Sequence, residues 1–359
     1  MKNTSIFISY YNSYPITSGS SAVTTSLFNS WPNKKKLFLM NHEKDINKKN
    51  IHNFKILSNN SIIKIISLFP YLLFIYFKIR NIKVKYIIFE GASWTGLVYL
   101  SYIFFKILKP NLKCIYHSHN VDFFFRKKNF LLSKLSFYFE KKILKKFYLS
   151  TAVSDKDYKM FKSLFKVKTK ILPNGIIINN RYLKRNSLKK NYIIFSGSLE
   201  YSQNRKIFNK LLKYEFQILK KYLPNIKIFL TGGGKFKFYK NYSYIEELGT
   251  LPLRKYMNIL INSMGVIVPG SSVTGTKIKI IEALCYNKIV FSNHKSLKGI
   301  RNQYNKYIEY KNLNDFEKKI KFLNDKNYNS KIFNQIGQFY RDNYDMKKIV
   351  KKFYAENKL

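Results

Sequence analysis

Apolar runs of strand length alternate with longer helical segments almost throughout this 359-residue chain, and that alternation restricts the fold more than any other feature. Runs at Ser5–Tyr10, Lys36–Met40, Lys85–Glu90, Leu112–His117, Phe147–Val153 and Lys168–Leu172 read as strands. After a basic, polar stretch they resume at Tyr192–Ser196, Ile226–Thr231, Tyr244–Leu248, Gly265–Val268 and Lys288–Phe291. Helices are expected between them, as at Leu131–Lys146, Lys206–Tyr222 and Leu253–Asn262. Such alternation points to parallel sheets covered by helices, an α/β class. The length allows about two domains of roughly 100–200 residues each. Residues 176–191 break the pattern, so the expected organisation is a domain at 1–178, a linker at 179–190, a second domain at 191–340 and a helical segment at 341–359.

Residues 266–290, VIVPGSSVTGTKIKIIEALCYNKIV, carry the densest signal. A strand ends in a small-residue loop, the loop opens a helix, and a second strand follows. Such a unit presents free backbone N–H groups and a positive helix end to an anion. Gly270 and Gly275 allow a ligand close to the backbone, and Ser271, Ser272, Thr274 and Thr276 offer hydroxyls and helix caps. Lys277 in the first turn opposes the helix dipole, a cost of roughly 0.3–1 kcal/mol. A bound diphosphate would remove the conflict; a capped surface helix with a stray lysine is the competing reading. Glu282 lies about two turns beyond Gly275, between Ile281 and Leu284. An acid on an apolar helix face needs a partner. Two ribose hydroxyls would serve, or Lys279 three residues earlier.

Other loops at strand ends repeat the theme. HSHNVD at 117–122 follows a strand, and His119, ahead of His117, is placed to meet a phosphate or a sugar hydroxyl. FSGSLEYSQNRK at 195–206 runs from a strand through Gly197 and Ser198 into a helix opening with Arg205 and Lys206, again cations at a helix N-terminus. TGGG at 231–234, with Gly233 at its centre, suits a backbone lying against a flat ring, and Leu248-Gly249-Thr250 could meet the edge of a base. Pro173-Asn174-Gly175 is readable as a turn and Ser154 as an N-cap. Ligands of open α/β sheets bind at the carboxyl ends of the strands, so two doubly wound domains are expected to gather these loops on one cleft.

The chain holds 66 Lys and Arg against 19 Asp and Glu, a formal charge of +47. That balance fits an anionic partner, or drift toward residues with A/T-rich codons: Lys, Asn, Ile, Tyr and Phe abound, and the lysines are spread along the chain. No helix-turn-helix, zinc spacing or RNP-like strand specifies a nucleic acid. Cys114 and Cys285 have neither disulfide-framework nor metal-ligand spacing, which fits a reducing compartment. MKNTSIFISYY has too short an apolar run for a signal peptide and reads as a first strand. Residues 62–79 and 97–108 are apolar but not convincing membrane spans. They read as buried or interfacial helices, with a monotopic contact through Phe69, Tyr71, Phe74 and Tyr76 as one possibility.

The order HNVD, AVS-D-D, PNGI, FSGSLEYSQN, FLTGGG, LGTL and GTKIKIIEAL resembles the GT-B glycosyltransferases of family 4, the "glycosyl transferases group 1" type. Tyr11–Ser26, with Gly19, is a looser match to that family's loop after the first strand. The resemblance implies two doubly wound, Rossmann-like domains and a retaining transfer of a sugar from a nucleotide diphosphate sugar to an acceptor hydroxyl. It implies no cofactor beyond that donor and no obligatory metal. His119, Thr274 and Gly275 would be the catalytic positions. The donor would be held by Gly19, Gly197, Ser198, Asn204, Arg205, Gly233, Leu248, Gly249, Val273, Thr276, Lys277, Lys279 and Glu282, with Glu282 on the ribose. The last helix would cross back onto the first domain. Two departures stand out. Thr274 occupies a position where many members have a glutamate, and Ser198 and Asn204 replace an Arg and a Lys. Neutralising the diphosphate then falls to Lys277, Lys279, Arg205 or Lys206, at roughly 1.5–3 kcal/mol per charge-assisted contact. The expected setting is peripheral, on the cytoplasmic face of a bacterial membrane. The acceptor would be a saccharide or a polyprenyl-diphosphate-linked glycan of a lipopolysaccharide or capsule, and the further partner an anionic membrane surface, with no nucleic acid. The rival readings are a nucleotide-sugar epimerase of the same fold, a basic nucleic-acid-binding protein, and a non-catalytic member that only binds.

Overall fold

Two all-parallel sheets organise the chain in the computed structural model, which describes residues 3–42, 46, 48–91, 94–127, 129–177, 191–234, 242–270, 275–297, 299–300, 308–322 and 326–359. Contacts divide it into two units. Unit 1 comprises Met1–Gly175, Thr274–Thr276 and Met346–Leu359, and unit 2 comprises Ile176–Val273 and Lys277–Asp345.

Unit 1 runs β1 (Thr4–Ser9), α1 (Gly19–Ser30), β2 (Lys34–Asn41), β3 (Ile51–Lys55), α2 (Ser61–Ile66), α3 (Leu68–Ile79), β4 (Val84–Gly91), α4 (Thr95–Leu108), β5 (Lys113–Ser118), α5 (Asp122–Phe125), α6 (Phe130–Lys146), β6 (Leu149–Ala152), α7 (Asp155–Phe165) and β7 (Lys170–Ile171). Its seven strands are ordered β3-β2-β1-β4-β5-β6-β7. Right-handed crossovers then put α1 on one face and α3, α4, α6 and α7 on the other. The pleat sorts the core accordingly. Ile6, Ile8, Ile87 and Phe89 join Tyr71, Leu72, Ile75, Leu97, Val98 and Ile143 in one cluster. Phe7, one residue out of phase, meets Phe28 and Trp31 edge-on at 5.4 and 5.7 Å.

Unit 2 runs β8 (Tyr192–Ser196), α8 (Ser202–Lys213), α9 (Glu215–Tyr222), β9 (Lys227–Thr231), β10 (Ile245–Gly249), α10 (Leu253–Asn262), β11 (Gly265–Ile267), α11 (Ile278–Cys285), β12 (Ile289–Asn293), α12 (His294–Leu297), β13 (Ile308–Tyr310), α13 (Leu313–Phe322) and α14 (Lys326–Asn343). Strand order is β10-β9-β8-β11-β12-β13. Phe208 of α8 anchors its face, 5.1 Å from Phe195 and 5.7 Å from Phe216. The last helix, α15 (Met346–Glu356), packs in unit 1 against α1, with Tyr354 edge-on to Trp31 at 5.8 Å and its hydroxyl accepting from Asn33.

Four expectations change. β3 and β13 are additional edge strands. Residues 62–79 are two helices broken at Ser67, which leaves Pro70 in the first turn of α3, where its missing N–H costs nothing. Lys206–Tyr222 likewise divides at Tyr214, whose backbone (φ −128°, ψ −72°) is not helical. Of the aromatics proposed for a membrane contact, Tyr71 is fully buried and donates its hydroxyl to the Ser9 carbonyl, so that combination of side chains is not a surface.

Gly265 sits in β11 between β8 and β12, where a Cβ would run into the Ile289 carbonyl. Gly265→Ala should therefore destabilise unit 2 by about 1–3 kcal/mol, seen as a lower denaturant midpoint with an unchanged slope.

Candidate active site

Each sheet reverses its strand order once, and a crevice at the carboxyl ends of the strands is expected at that switch point. In unit 1 the switch lies between β1 and β4; in unit 2 it lies between β8 and β11. The candidate residues gather at these two places.

In unit 1, Glu90 stands near the end of β4, fully buried, and its Oε2 accepts from Thr24 Oγ1 at 2.7 Å and from His119 Nε2 at 2.8 Å. Tyr11 Oη lies 2.6 Å from Thr24 Oγ1. Burial alone would raise the Glu90 pKa, but His117, His119 and Thr24 outweigh it and hold the carboxyl below its ordinary range. The acid is therefore ionised at neutral pH. It fixes Nε2 of His119 as a donor and leaves Nδ1 for another partner. His119, Asn120, Tyr11, Asn12, Thr17, Ser18 and Ser20 line an open pocket of about 450 Å³, rich in hydroxyls and amides that can donate and accept hydrogen bonds. Gly19 is the first residue of α1 beside it, behind a Ser18–Ser21 capping box. Gly275 also belongs to unit 1 and donates its N–H to Asp157 Oδ1 at 3.3 Å. At φ +72° it adopts a backbone that favours glycine, and a Cβ there would stand 3.0 Å from the His119 carbonyl. Thr276, next in the chain, is partly buried. Val273 and Thr274 lie outside the described residues, as do Ser271 and Ser272.

His117 is fully buried, with Nδ1 2.9 Å from Thr151 Oγ1 and no hydrogen bond to Nε2 among the described residues. Glu90, His117 and His119 bring ligand-type atoms within 4.8 Å of one another, the described cluster best able to approach a cation. His119 Nε2 is already committed to Glu90, so a metal would have to displace that bond.

In unit 2 the loops after β8, β9 and β10 are bonded to each other. Gly197 N–H donates to the Thr231 carbonyl, Leu199 N–H to Gly233 and Gly232 N–H to Gly249, at 2.8, 2.8 and 2.9 Å. Gly232 (φ +128°) passes so close that a Cβ would stand 2.6 Å from the Gly197 carbonyl carbon. Ser198 Oγ donates to the Gly233 carbonyl at 3.1 Å. Asn204 Nδ2 donates to the Ser198 carbonyl, and Arg205 Nη1 to the Leu199 and Glu200 carbonyls, at 2.7, 2.9 and 2.7 Å. These side chains thus brace the loop that carries them. Leu248 and Gly249 close β10, where Gly249 (φ +63°) has open space around its α-carbon.

The helix after β11 starts at Ile278, which leaves Lys277, expected in its first turn, just outside it. Lys277 is its N-cap, and no side chain caps the N-terminus of α11. Gly270 is held by Asn293 Oδ1, which also accepts from Ser296 N–H. Lys279 donates to the Ser196 carbonyl at the end of β8. Burial pushes Lys277 down and Lys279 down to about 8. Burial also pushes Glu282 up to about 7 against the opposing pull of Lys279, and Tyr256 Oη donates to Glu282 Oε2 at a long 3.4 Å. Glu90, Thr24 and Tyr11 were not singled out from the sequence. The available signal was an acid at the carboxyl end of a predicted strand.

The His117 shift sets a pH dependence. Burial pushes its pKa from 6.5 down to about 4. Between those values the unfolded chain binds a proton that the folded chain does not, so stability rises with pH across that window, by about 3 kcal/mol in all. Denaturant titrations at stepped pH should show this slope, and His117→Gln should flatten it.

No family description and no curated protein matches the sequence. Solved structures do match in fold. Sucrose-phosphate synthase from Thermosynechococcus elongatus superposes with a TM-score of 0.72 at 10% identity, covering 99% of this chain and 98% of that one. Anabaena HepE in complex with UDP and glucose gives 0.70 at 11% identity, covering 99% of both chains. An alpha-glucosyltransferase in complex with UDP gives 0.66 at 10%, again covering 99% of both. The two parallel α/β units therefore have the GT-B fold of glycosyltransferases.

Proposed function

We propose that this protein is a retaining glycosyltransferase that moves a sugar from a nucleotide diphosphate sugar to a hydroxyl of a saccharide or polyprenyl-diphosphate-linked acceptor. Bacterial surface polysaccharide synthesis at the cytoplasmic face of the membrane is the setting this reading favours. The observation that carries it is the group around α11. A half-buried carboxyl with spare acceptor capacity follows an uncapped helix N-terminus flanked by two half-buried lysines. Ribose hydroxyls would donate to the remaining lone pairs of Glu282, and a diphosphate would favour the charged forms of Lys277 and Lys279. The UDP and UDP-glucose complexes of HepE, which shares the fold, support the same donor class.

In this reading the bond between the anomeric carbon and the diphosphate oxygen breaks while the acceptor oxygen bonds to the same face of that carbon. The acceptor proton passes to the departing diphosphate. The protein contributes positioning and stabilisation of the leaving charge, with His119, oriented by Glu90, on the sugar. No metal is required by this scheme.

A thermal-shift panel of UDP, GDP, ADP, CMP and duplex DNA tests it. One nucleoside diphosphate should stabilise the protein by roughly 2.7 kcal/mol at a hundred times its dissociation constant, and Glu282→Ala should remove that shift. Stabilisation by DNA alone would point to the nucleic-acid reading. Donor consumption without any acceptor would point to the epimerase. Affinity should also follow pH. It should rise as Glu282 ionises through about 7 and fall as Lys279 loses its proton through about 8. In calorimetric titrations Glu282→Gln should abolish the acidic limb alone.

A further inference from the structure

The outer side of the helix layer in unit 1 is apolar and cationic at once. Of the nineteen large hydrophobic side chains exposed among the described residues, sixteen lie between Leu57 and Tyr148 in the sequence, most of them on α2, α4 and α6. The short helix α2 is inverted. Ile62, Ile65 and Ile66 are 64, 59 and 69% exposed, whereas Lys64 is 3% exposed with its ammonium 4.7 Å above the Trp94 ring. An amphipathic helix facing water does the opposite.

The patch continues across neighbouring helices. Phe69, at the start of α3, meets Phe104 of α4 edge-on at 6.1 Å. α4 turns Leu100, Ile103 and Ile107 outward, one stripe at helical spacing. α6 packs beside α4 and turns out Leu131, Leu135 and Tyr138 in the same way. Lysines are interleaved with the aromatics. Lys134 lies 4.2 Å over Phe130 and Lys142 lies 5.3 Å over Tyr138.

Charge selects the occupant. Residues 57–148 contain sixteen Lys and Arg and three acids, and those acids, Glu90, Asp122 and Glu140, are at most 1% exposed. A second copy of this chain would bring like charge to the contact. An anionic bilayer brings the opposite charge and an apolar interior. We propose that the outer face of α2, α4 and α6 seats unit 1 on an anionic lipid membrane, with the Ile and Leu side chains at the acyl boundary and the lysines at the headgroups. This rests on the membrane part of the reading above and is independent of the transfer chemistry.

Flotation of the full chain with vesicles tests it, using phosphatidylcholine alone and phosphatidylcholine mixed with phosphatidylglycerol, at low and high salt. The mixed vesicles should bind at least roughly tenfold more tightly, less so at high salt. The variant Ile62→Ser/Ile66→Ser/Leu131→Ser should lose at least roughly tenfold on them. All three side chains are exposed, so its thermal melt should match wild type. Equal binding to both vesicle types, no binding, or full binding by the variant would overturn the proposal. So would sedimentation showing a dimer that the variant dissolves, which would assign the face to a second copy. The UDP thermal shift, measured in parallel on wild type and variant, reports separately on the transferase reading.

Discussion

Parallel strands are joined by crossovers, and right-handed crossovers lay helices on both faces of a sheet. Both sheets are parallel throughout their described pairings. Because all strands of a sheet point one way, every loop that leaves a strand's carboxyl end emerges on the same edge. The order β3-β2-β1-β4 opens that edge between β1 and β4, and β9-β8-β11 opens it between β8 and β11. The loop glycines, Glu90 and the α11 N-terminus stand where they do because of this one topological reversal in each sheet.

Central strands were legible in the sequence because burial on both faces leaves an uninterrupted apolar run, as in Ile6–Ile8 or Ile193–Phe195. The two missed strands are edges. β3, Ile-His-Asn-Phe-Lys, has β2 as its one partner strand among the described residues and alternates too weakly to stand out, and β13 is three residues long. Helix breaks at Ser67 and Tyr214 lie within continuous apolar periodicity, which reports the buried stripe and not the backbone angles at which one helix ends and the next begins. In the candidate site, the glycine loops of unit 2 were legible because glycine marks positive φ and close backbone approach. The Tyr11–Thr24–Glu90–His119 network was not, since its partners are 29 and 66 residues apart in sequence and meet only through the sheet. The inverted α2 was equally opaque: Ser-Ile-Ile-Lys-Ile-Ile has no pattern that says which side faces water.

The two switch points differ in their electrostatics. In unit 1 a buried carboxylate is held in its ionised form by hydrogen bonds from an imidazole and a hydroxyl, so its charge is settled before any ligand arrives. In unit 2, Glu282 and Lys279 are both pushed toward neutrality by burial. The first arrangement fixes the orientation of a ring. The second leaves protonation to be decided by whatever binds, which couples ligand charge to proton uptake or release.

The helix α15 belongs to unit 1 although all of unit 2 precedes it in the chain. During synthesis, Trp31 and Phe28 emerge early, but Tyr354, which closes over Trp31, emerges more than three hundred residues later. One face of the first sheet thus stays partly uncovered while the ribosome completes the second unit. A domain that would otherwise be complete first as chain emerges lacks this covering helix until α15 is made. A truncated product would keep an exposed indole as its mark of incompleteness.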